Sequence, residues 1–500
     1  MYIYDLIPKN EIIVSGPLRE YKGELIPTAN LGNVAKNNIL FIYAKVGNIK
    51  ERVDIPKDAS PYAIVYDDTV ILSGKNMTLV KVNNARRALA YAYSNFYKID
   101  YTRIKIIGIT GTNGKTSTAT MIYKILRHCG YKCGYIGTGK IEIDGRVITD
   151  DFYSMTTPDP PLLYSTISKM IECGVKYVVM EVSSHSIALE KIAPIYFECG
   201  VFTNLSPEHM DFHRSMWEYY ETKASMFKNC AKAIINIDDA YGDALYESLN
   251  INKASVGVVY PAEVRAVQIK DKHLAGIEYF YKEKDLIFKL GLKLSGVYNI
   301  YNSLLAAKCV YMLNIKPRLI KEALASVEEI DGRMSVINSS PKVIIDYAHT
   351  PFAMENALKS VNSAKVSGQN IILVFGCGGD RDGSKRSSMG KIALKYADKI
   401  FITEDNSRSE PFEKILADIL KEIDLSDKIQ VIRDRKQAIR KAVLDAEEND
   451  IILLLGKGHE RYMIKSGRTF RFSERDIVKE AMAERMMTNE NKASLTAEFK

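Results

Sequence analysis

Short unbroken apolar runs, each followed by a stretch with helical spacing, recur through most of this 500-residue chain and leave it few possible architectures. Between about residues 103 and 333 the runs are Ile104–Ile109, Tyr177–Glu181, Gly200–Thr203 and Ala233–Ile237. A second series starts near Val336: Val343–Asp346, Ile371–Phe375, Lys399–Thr403, Gln430–Ile432 and Ile451–Leu455. A run without polar positions has no side to give to water, so it predicts a strand covered on both faces. A crossover helix after each strand makes the sheet parallel. Two doubly wound α/β units follow. Ahead of them, residues 1–103 mix β-rich runs (Asn38–Lys45, Ala63–Val65, Thr78–Val82) with one helical pattern, Ala85–Tyr97. A single core seldom serves a chain this long. Three domains are expected, at 1–103, 104–335 and 336–488, followed by a polar, disordered tail over 489–500.

Composition excludes several classes. Hydrophobic residues at 46% and charged residues at 26% are those of a soluble globular protein. No apolar stretch reaches the roughly 18–20 residues of a membrane span. The start, MYIYDLIPKN, lacks the basic and apolar regions of a signal peptide. A cytoplasmic monomer without a membrane partner is expected. Seven cysteines are scattered, and Cys129 and Cys133 form the one close pair, so neither a disulfide framework nor a zinc site is predicted. The net charge of +8 suits anionic ligands such as nucleotides, but without a Lys/Arg block it does not point to nucleic acid.

The segment Ile106–Ser117 carries the clearest chemistry. A buried strand enters a loop containing Gly111 and Gly114, and Lys115 and Thr116 open a helix toward Arg127. Glycines let backbone N–H groups close around phosphate oxygens, and the helix N-terminus adds a favourable dipole. Lys115 reaches the β/γ-phosphates and the Thr116 hydroxyl is placed to ligate Mg²⁺. The longer pattern G-x-x-x-x-G-K-[ST] is absent, because Ile109 occupies its first glycine position; the shorter G-T-x-G-K-[ST] is present. Nucleotide binding follows from this loop. The reaction does not.

Five histidines, His185, His209, His213, His349 and His459, fall in segments at predicted strand ends. Glu181 ends an apolar run, where a carboxylate is costly unless paired or metal-bound. With His209 it could hold a Mg²⁺ bridging phosphate and an acceptor carboxylate. A lone histidine in a loop is ordinarily just hydrogen-bonded; the joint occurrence after a phosphate loop favours a metal.

The motifs GTNGKTS, TTP (Thr156–Pro158), EVSSH, FTNLSPEHMDFH, YNIYN, DGRM, DYAHTP, FGCGGDRD and GKGHE (Gly456–Glu460) occur in the order and spacing of the Mur ligase family. The resemblance is strong over about residues 104–480, and closest to the branch that adds the third residue of the peptidoglycan stem. It implies an α/β protein of three domains: an N-terminal one for the UDP end, a central P-loop ATPase domain, and a C-terminal Rossmann-like domain for the amino acid. By similarity, Gly111, Thr112, Asn113, Gly114, Lys115, Thr116 and Ser117 hold the ATP phosphates, with Asn299, Arg333 and Asp346 on the rest of ATP. Thr156, Thr157, Ser183 and Lys191 would hold the UDP-N-acetylmuramoyl dipeptide. Lys223 falls where the family carries a carbamylated lysine, an anionic oxygen ligand for Mg²⁺ beside Thr116, Glu181 and His209. His349 would orient the amine or phosphate side. The implied reaction is ATP-dependent formation of an acyl phosphate that an amine captures.

The amino acid is read from the C-terminal loops. Members that use meso-diaminopimelate carry D-N-P-R, whose Arg grips the distal carboxylate; here the segment is Asp405-Asn406-Ser407-Arg408. Arg381, Gly456 and Glu460 also match contacts to that substrate, so diaminopimelate is expected over lysine. Two departures concern the UDP end: Thr28-Ala29-Asn30 replaces the family's D-S-R, and Met155 replaces a polar residue. A lysine-adding or specialised-metabolism ligase, a folylpolyglutamate synthase and a P-loop NTPase switch remain alternatives. A dinucleotide oxidoreductase is disfavoured, because Arg381 sits where G-x-G-x-x-G needs its last glycine.

Overall fold

A computed structural model describes residues 1–15, 20–32, 34–45, 50–56, 59–73, 77–149, 154–423 and 426–498, with side chains to 488 except at 14 and 15. Three main sheets organise the chain. The first has five strands in the order Ile12–Ser15, Leu79–Val82, Ala63–Tyr66, Asn38–Ile42, Ile26–Thr28, parallel apart from the first. Helix Ala85–Phe96 covers it, with the Asn84 side chain accepting the Arg87 N–H at its start. Ile39, Phe41, Val65 and Val80 of this sheet share one apolar core with Ile106, Val178 and Phe197 of the next.

The central sheet has eleven strands. Its parallel part places Lys105–Thr110 between Tyr177–Glu181 and Phe197–Phe202. Ile107, Ile109, Val179 and Val201 point to the face covered by helices Lys115–His128 and Tyr298–Tyr311, whereas their neighbours Ile106 and Val178 point to the other. Both faces are therefore dry, as continuous apolar runs require.

Beyond Asn252–Gly257 the sheet departs from the expected alternation with helices: Val264–Asp271, Ile277–Glu283 and Leu286–Leu292 form an antiparallel meander. Buried and less buried residues alternate along Ile277–Glu283, so one face is left to solvent and the apolar run that signals a covered strand is missing. The opposite edge, Lys140–Ile143 and Arg146–Val147, is antiparallel as well.

The third sheet runs Ser335–Ser339, Lys342–Asp346, Ile451–Leu455, Ile371–Phe375, Lys399–Ile402, Ile429–Val431, parallel except at its first strand. The last helix, Glu474–Glu498, packs Val478 and Ala481 into this unit and takes in most of the segment expected as a tail; residues 499–500 lie outside the described residues. All seven cysteines are free. No helix among the described residues is long and apolar enough to cross a membrane.

Candidate active site

In an open parallel sheet, ligands bind beyond the carboxyl ends of the strands where the strand order reverses. Lys105–Thr110 lies at such a point, because its neighbours on the two sides come later in the chain. Gly111 and Gly114 after it have φ of +143° and +85°. A Cβ on Gly111 would stand 1.9 Å from Thr203 Oγ1, and one on Gly114 2.5 Å from Asn302 Oδ1. Only glycine fits both places. The loop is pinned from the next strand end: Thr112 N donates to Asn204 O (2.8 Å) and the Thr203 hydroxyl to Asn113 O (2.6 Å). Lys115 Nζ donates to the carbonyls of Gly111 (3.0 Å) and Thr112 (2.8 Å). Burial lowers the Lys115 pKa against the opposing pull of Glu208 and Glu181.

A cavity of about 640 Å³ opens from this loop, lined by Gly114, Thr116, Asn302, Arg333, Asp346 and His349 among others. Its size suits a nucleotide. Arg333 Nη2 donates to Thr116 Oγ1 at 3.1 Å, and its guanidinium lies 4.5 Å from the Tyr347 ring centre. Asp346 accepts the Met334 and Ala348 N–H groups, both at 2.8 Å, and burial raises its pKa. Asn299 is not in the wall: its Oδ1 accepts from Asn302 Nδ2 at 3.1 Å, and Asn302 faces the cavity. The next asparagine of Y-N-I-Y-N is thus the one that lines the cavity, one helical turn on.

Glu181 is fully buried. Its oxygens accept from the hydroxyls of Thr116 (2.9 Å), Tyr135 (2.8 Å) and Thr138 (3.1 Å), and from Thr138 N (3.1 Å). Lys223 is 1% exposed, and its Nζ donates to Gly111 O at 3.0 Å. Burial, then the charge of Lys115, holds its amine well below the ordinary lysine range. His209 has a left-handed backbone (φ +59°), and burial lowers its pKa to about 4. Thr116 and Glu181 therefore bond directly, whereas Lys223 bonds to the loop at Gly111. Among the described residues no three His, Cys, Asp or Glu side chains form a ready cage. The donors are hydroxyls, a carboxylate and an imidazole, of the oxygen-rich kind that Mg²⁺ takes with waters and substrate.

The residues expected to hold the nucleotide-peptide follow. Thr156 Oγ1 lies 3.0 Å from Thr138 Oγ1, and the Thr157 hydroxyl donates to Glu181 O at 2.9 Å. Ser183 Oγ accepts Ser186 N at 3.1 Å and so caps a short helix. Lys191 pairs with Asp159 at 2.6 Å in a cavity of about 400 Å³ that Thr28, Asn30, Tyr43 and Arg86 also line. The departing segment Thr28–Asn30 does sit at this second cavity. A third, of about 200 Å³, has Thr138 and Ser154 on one side and Glu460 and Tyr462 on the other.

At the third sheet, loops after Ile371–Phe375, Lys399–Ile402 and Ile451–Leu455 come together. Asp405, Asn406 and Ser407 are buried. Asn406 Nδ2 donates to Glu460 Oε2 (2.9 Å), and Lys457 Nζ donates to Asn406 Oδ1 (2.9 Å) and Glu460 Oε2 (2.7 Å). Gly456 has φ +112°, and a Cβ there would meet Asp405 Oδ2 at 2.5 Å. Arg408 donates through Nη1 to the carbonyls of Gly379 (2.8 Å) and Asn406 (3.2 Å). It has no carboxylate partner among the described residues, and its pKa is lowered by burial and then by the neighbouring Arg381.

Two family models match: the Mur ligase middle domain over residues 109–310, and the Mur ligase, glutamate ligase domain over residues 332–458. The chain is 40% identical over 483 residues to the UDP-N-acetylmuramoyl-L-alanyl-D-glutamate–2,6-diaminopimelate ligase of Caldanaerobacter subterraneus subsp. tengcongensis, covering 94% of this chain and 98% of that one. The chain belongs to the Mur ligase family. The corresponding ligase 1 of Clostridium acetobutylicum is 39% identical, with 82% of this chain and 84% of that one covered. A solved UDP-N-acetylmuramoyl-L-alanyl-D-glutamate–2,6-diaminopimelate ligase shares the fold, with a TM-score of 0.61 at 24% identity over 94% of this chain and 98% of that one.

As a Mur ligase the chain is an ATP-dependent enzyme that forms amide bonds. Three residues at its site escaped the sequence reading. Glu208 accepts from His349 Nε2 at 2.9 Å, Asn302 replaces Asn299 at the cleft, and fully buried Lys457 braces Asn406 and Glu460. All three lie inside the motifs GKGHE, YNIYN and FTNLSPEHMDFH, within three residues of Gly456, Asn299 and His209. Nothing in the motif itself tells which of its polar members faces the cavity.

Proposed function

We propose that this Mur ligase joins meso-2,6-diaminopimelate to UDP-N-acetylmuramoyl-L-alanyl-D-glutamate through an acyl phosphate, in the cytoplasm and as a monomer. One observation carries the choice of amino acid: Arg408 is half-buried, feels the charge of Arg381, and among the described residues its guanidinium donates only to the carbonyls of Gly379 and Asn406. A guanidinium that no carboxylate pairs with among the described residues suits a substrate that brings one. Lysine would bring an ammonium instead.

In this reading Gly111–Ser117 hold the ATP phosphates, and Asn302, Arg333 and Asp346 the rest of the nucleotide. Mg²⁺, held by Thr116, Glu181, His209 and carbamylated Lys223, would neutralise charge on the phosphate oxygens. Lys115 turns from its two loop carbonyls to the phosphoryl group in transfer. A dipeptide carboxylate, brought in past Thr156 and Thr157, displaces ADP from the γ-phosphorus. The amine then attacks the acyl carbon, phosphate leaves with the bonding electrons, and the nitrogen sheds its proton. His349 serves as an anchor and not as a base. Its Nδ1 lies 2.8 Å from Tyr347 O and its Nε2 2.9 Å from the Glu208 carboxylate, so both ring nitrogens are engaged within the protein.

The test is incubation with ATP, Mg²⁺, the UDP-muramoyl dipeptide and either diaminopimelate or lysine, with products read by mass. An amide with diaminopimelate is expected. An amide with lysine alone, or ATP turnover without any amide, refutes the reading.

A further inference from the structure

Arg386 is a large, fully buried cation that the reaction described above does not use. It begins helix Arg386–Tyr396, behind the amino-acid pocket. Its Nη1 donates to Glu410 Oε1 (2.9 Å) and Asp418 Oδ2 (2.8 Å), and its Nη2 to Glu410 Oε2 (2.7 Å) and Gly378 O (2.9 Å). The fork thus grips Glu410 with both arms and the 376–381 loop with one.

The bonds around it run between two loops. Glu410 Oε2 also accepts Asp380 N at 3.0 Å, and Asp380 Oδ2 accepts Ser409 N (2.9 Å) and the Ser409 hydroxyl (2.7 Å). Gly379 N donates to Asn406 O at 2.9 Å, and a Cβ on Gly379 would lie 2.0 Å from Ser407 O. The loops are in backbone contact, and Arg408 rides on that seam. Its Nη1 is held by Gly379 O, and a Cβ on Gly378 would lie 3.2 Å from the same nitrogen. From behind, the Arg408 N–H is fixed to Ile464 O at 3.1 Å. The backbone of Arg408 therefore has its own anchor, whereas the aim of its guanidinium depends on where the 376–381 loop stands.

We propose that Arg386 is a positioning residue for amino-acid selection, setting the 376–381 loop so that Arg408 turns its free edge to the distal carboxylate of the incoming amino acid. The inference rests on the diaminopimelate reading above. A lysine ammonium is a point charge and cannot hold Glu410 in a fork while also meeting the Gly378 carbonyl. Arg386→Lys keeps the buried charge and releases the loop. A misplacement of about 1 Å in a bidentate clamp is enough for a large loss, on the order of 100-fold.

The experiment is steady-state kinetics of the full chain and of Arg386→Lys, varying diaminopimelate, lysine and ATP separately, with thermal melts to establish folding. Arg386→Lys should raise the diaminopimelate KM about 10-fold or more and narrow the preference over lysine, with the ATP KM within about twofold. Asp380→Gly cuts the surface tie to Ser409, suits the local φ of +51°, and should raise the diaminopimelate KM about threefold in the same direction. It decides the matter if Arg386→Lys does not fold. If the unaltered chain makes no amide with diaminopimelate, the substrate reading fails and the inference with it. If it does, and either folded variant leaves that KM unchanged or raises both KM values in parallel, the inference alone is overturned.

Discussion

The Glu208 carboxylate and the His349 imidazole, 141 residues apart in the chain, meet at 2.9 Å and join the central sheet to the third. Burial acts to raise the Glu208 pKa, but the bond from His349 and the charges of His209 and Lys115 outweigh it, and the carboxyl is held well below its usual range. His349 is two-fifths exposed, so the pair has the worth of a partly screened charged hydrogen bond, at the low end of roughly 1.5–3 kcal/mol.

Glu208→Gln should therefore lower kcat/KM for ATP about tenfold and reduce Tm. The folded pKa of Glu208 lies below the unfolded value of about 4.3, so the bridge contributes stability above that pH and loses it as pH falls through the folded pKa. The Tm difference between Glu208→Gln and the unaltered chain should hold steady from pH 8 to about 5. A difference already gone at pH 6 would sink the assignment.

The phosphate loop can be tested through its glycines. Gly111→Ala puts a methyl group into Thr203 Oγ1 and the nearby Asn204 backbone, whereas Gly114→Ala meets only a side-chain amide within 3 Å. Both also strain a positive φ, at about 1–3 kcal/mol. Gly111→Ala should abolish ATP binding in calorimetry and Gly114→Ala should weaken it; the reverse order would contradict the packing.

Lys223 is buried against the Gly111 carbonyl and hydrogen-bonds to no acidic side chain among the described residues. Carbamylation would turn it from a cation into a ligand. Protein prepared with ¹³C-bicarbonate should show a carbamate carbon signal that Lys223→Arg lacks, and that variant should lose about 100-fold or more in kcat. Full activity in the variant would rule the carbamate out.

Arg408→Ala removes the charged fork from the amino-acid pocket while leaving the buried Asp405–Ser407 turn in place. The diaminopimelate KM should rise about 10–100-fold, the worth of a charged hydrogen-bonded pair, with the ATP KM unmoved. Equal KM values before and after would show that the carboxylate is bound elsewhere.

His185 stacks on Phe212, 4.0 Å between ring centres, and burial, aided by His209, His213 and Arg381, lowers its pKa to about 4. The folded state then binds fewer protons than the unfolded one between about pH 4 and 6.5, so stability is full above 6.5 and declines on acidification across that window. His185→Gln should flatten the fall of Tm between those pH values. A fall of unchanged steepness would place the titration elsewhere.

What the chain determines by itself is local. An apolar run followed by Gly111, Gly114, Lys115 and Thr116 must form a strand, a phosphate loop and a helix start, because each step depends on φ preferences and burial within a dozen residues. The parallel strands Tyr177–Glu181, Ile371–Phe375 and Ile451–Leu455 were legible residue by residue for the same reason. The meander at 264–292 was not, because a one-sided strand carries a weaker signal than one buried on both faces. Pairings across the sheets were also out of reach. Whether Asn299 or Asn302 faces the cavity depends on the rotation of one helix against the loop it packs on. That Glu208 receives His349, and that Arg386 governs the loop beside Arg408, depends on where strand ends distant in sequence come to rest. Such contacts carry no local preference. They exist only once the sheets are closed on their cores and low-dielectric surroundings make each buried charge seek a partner.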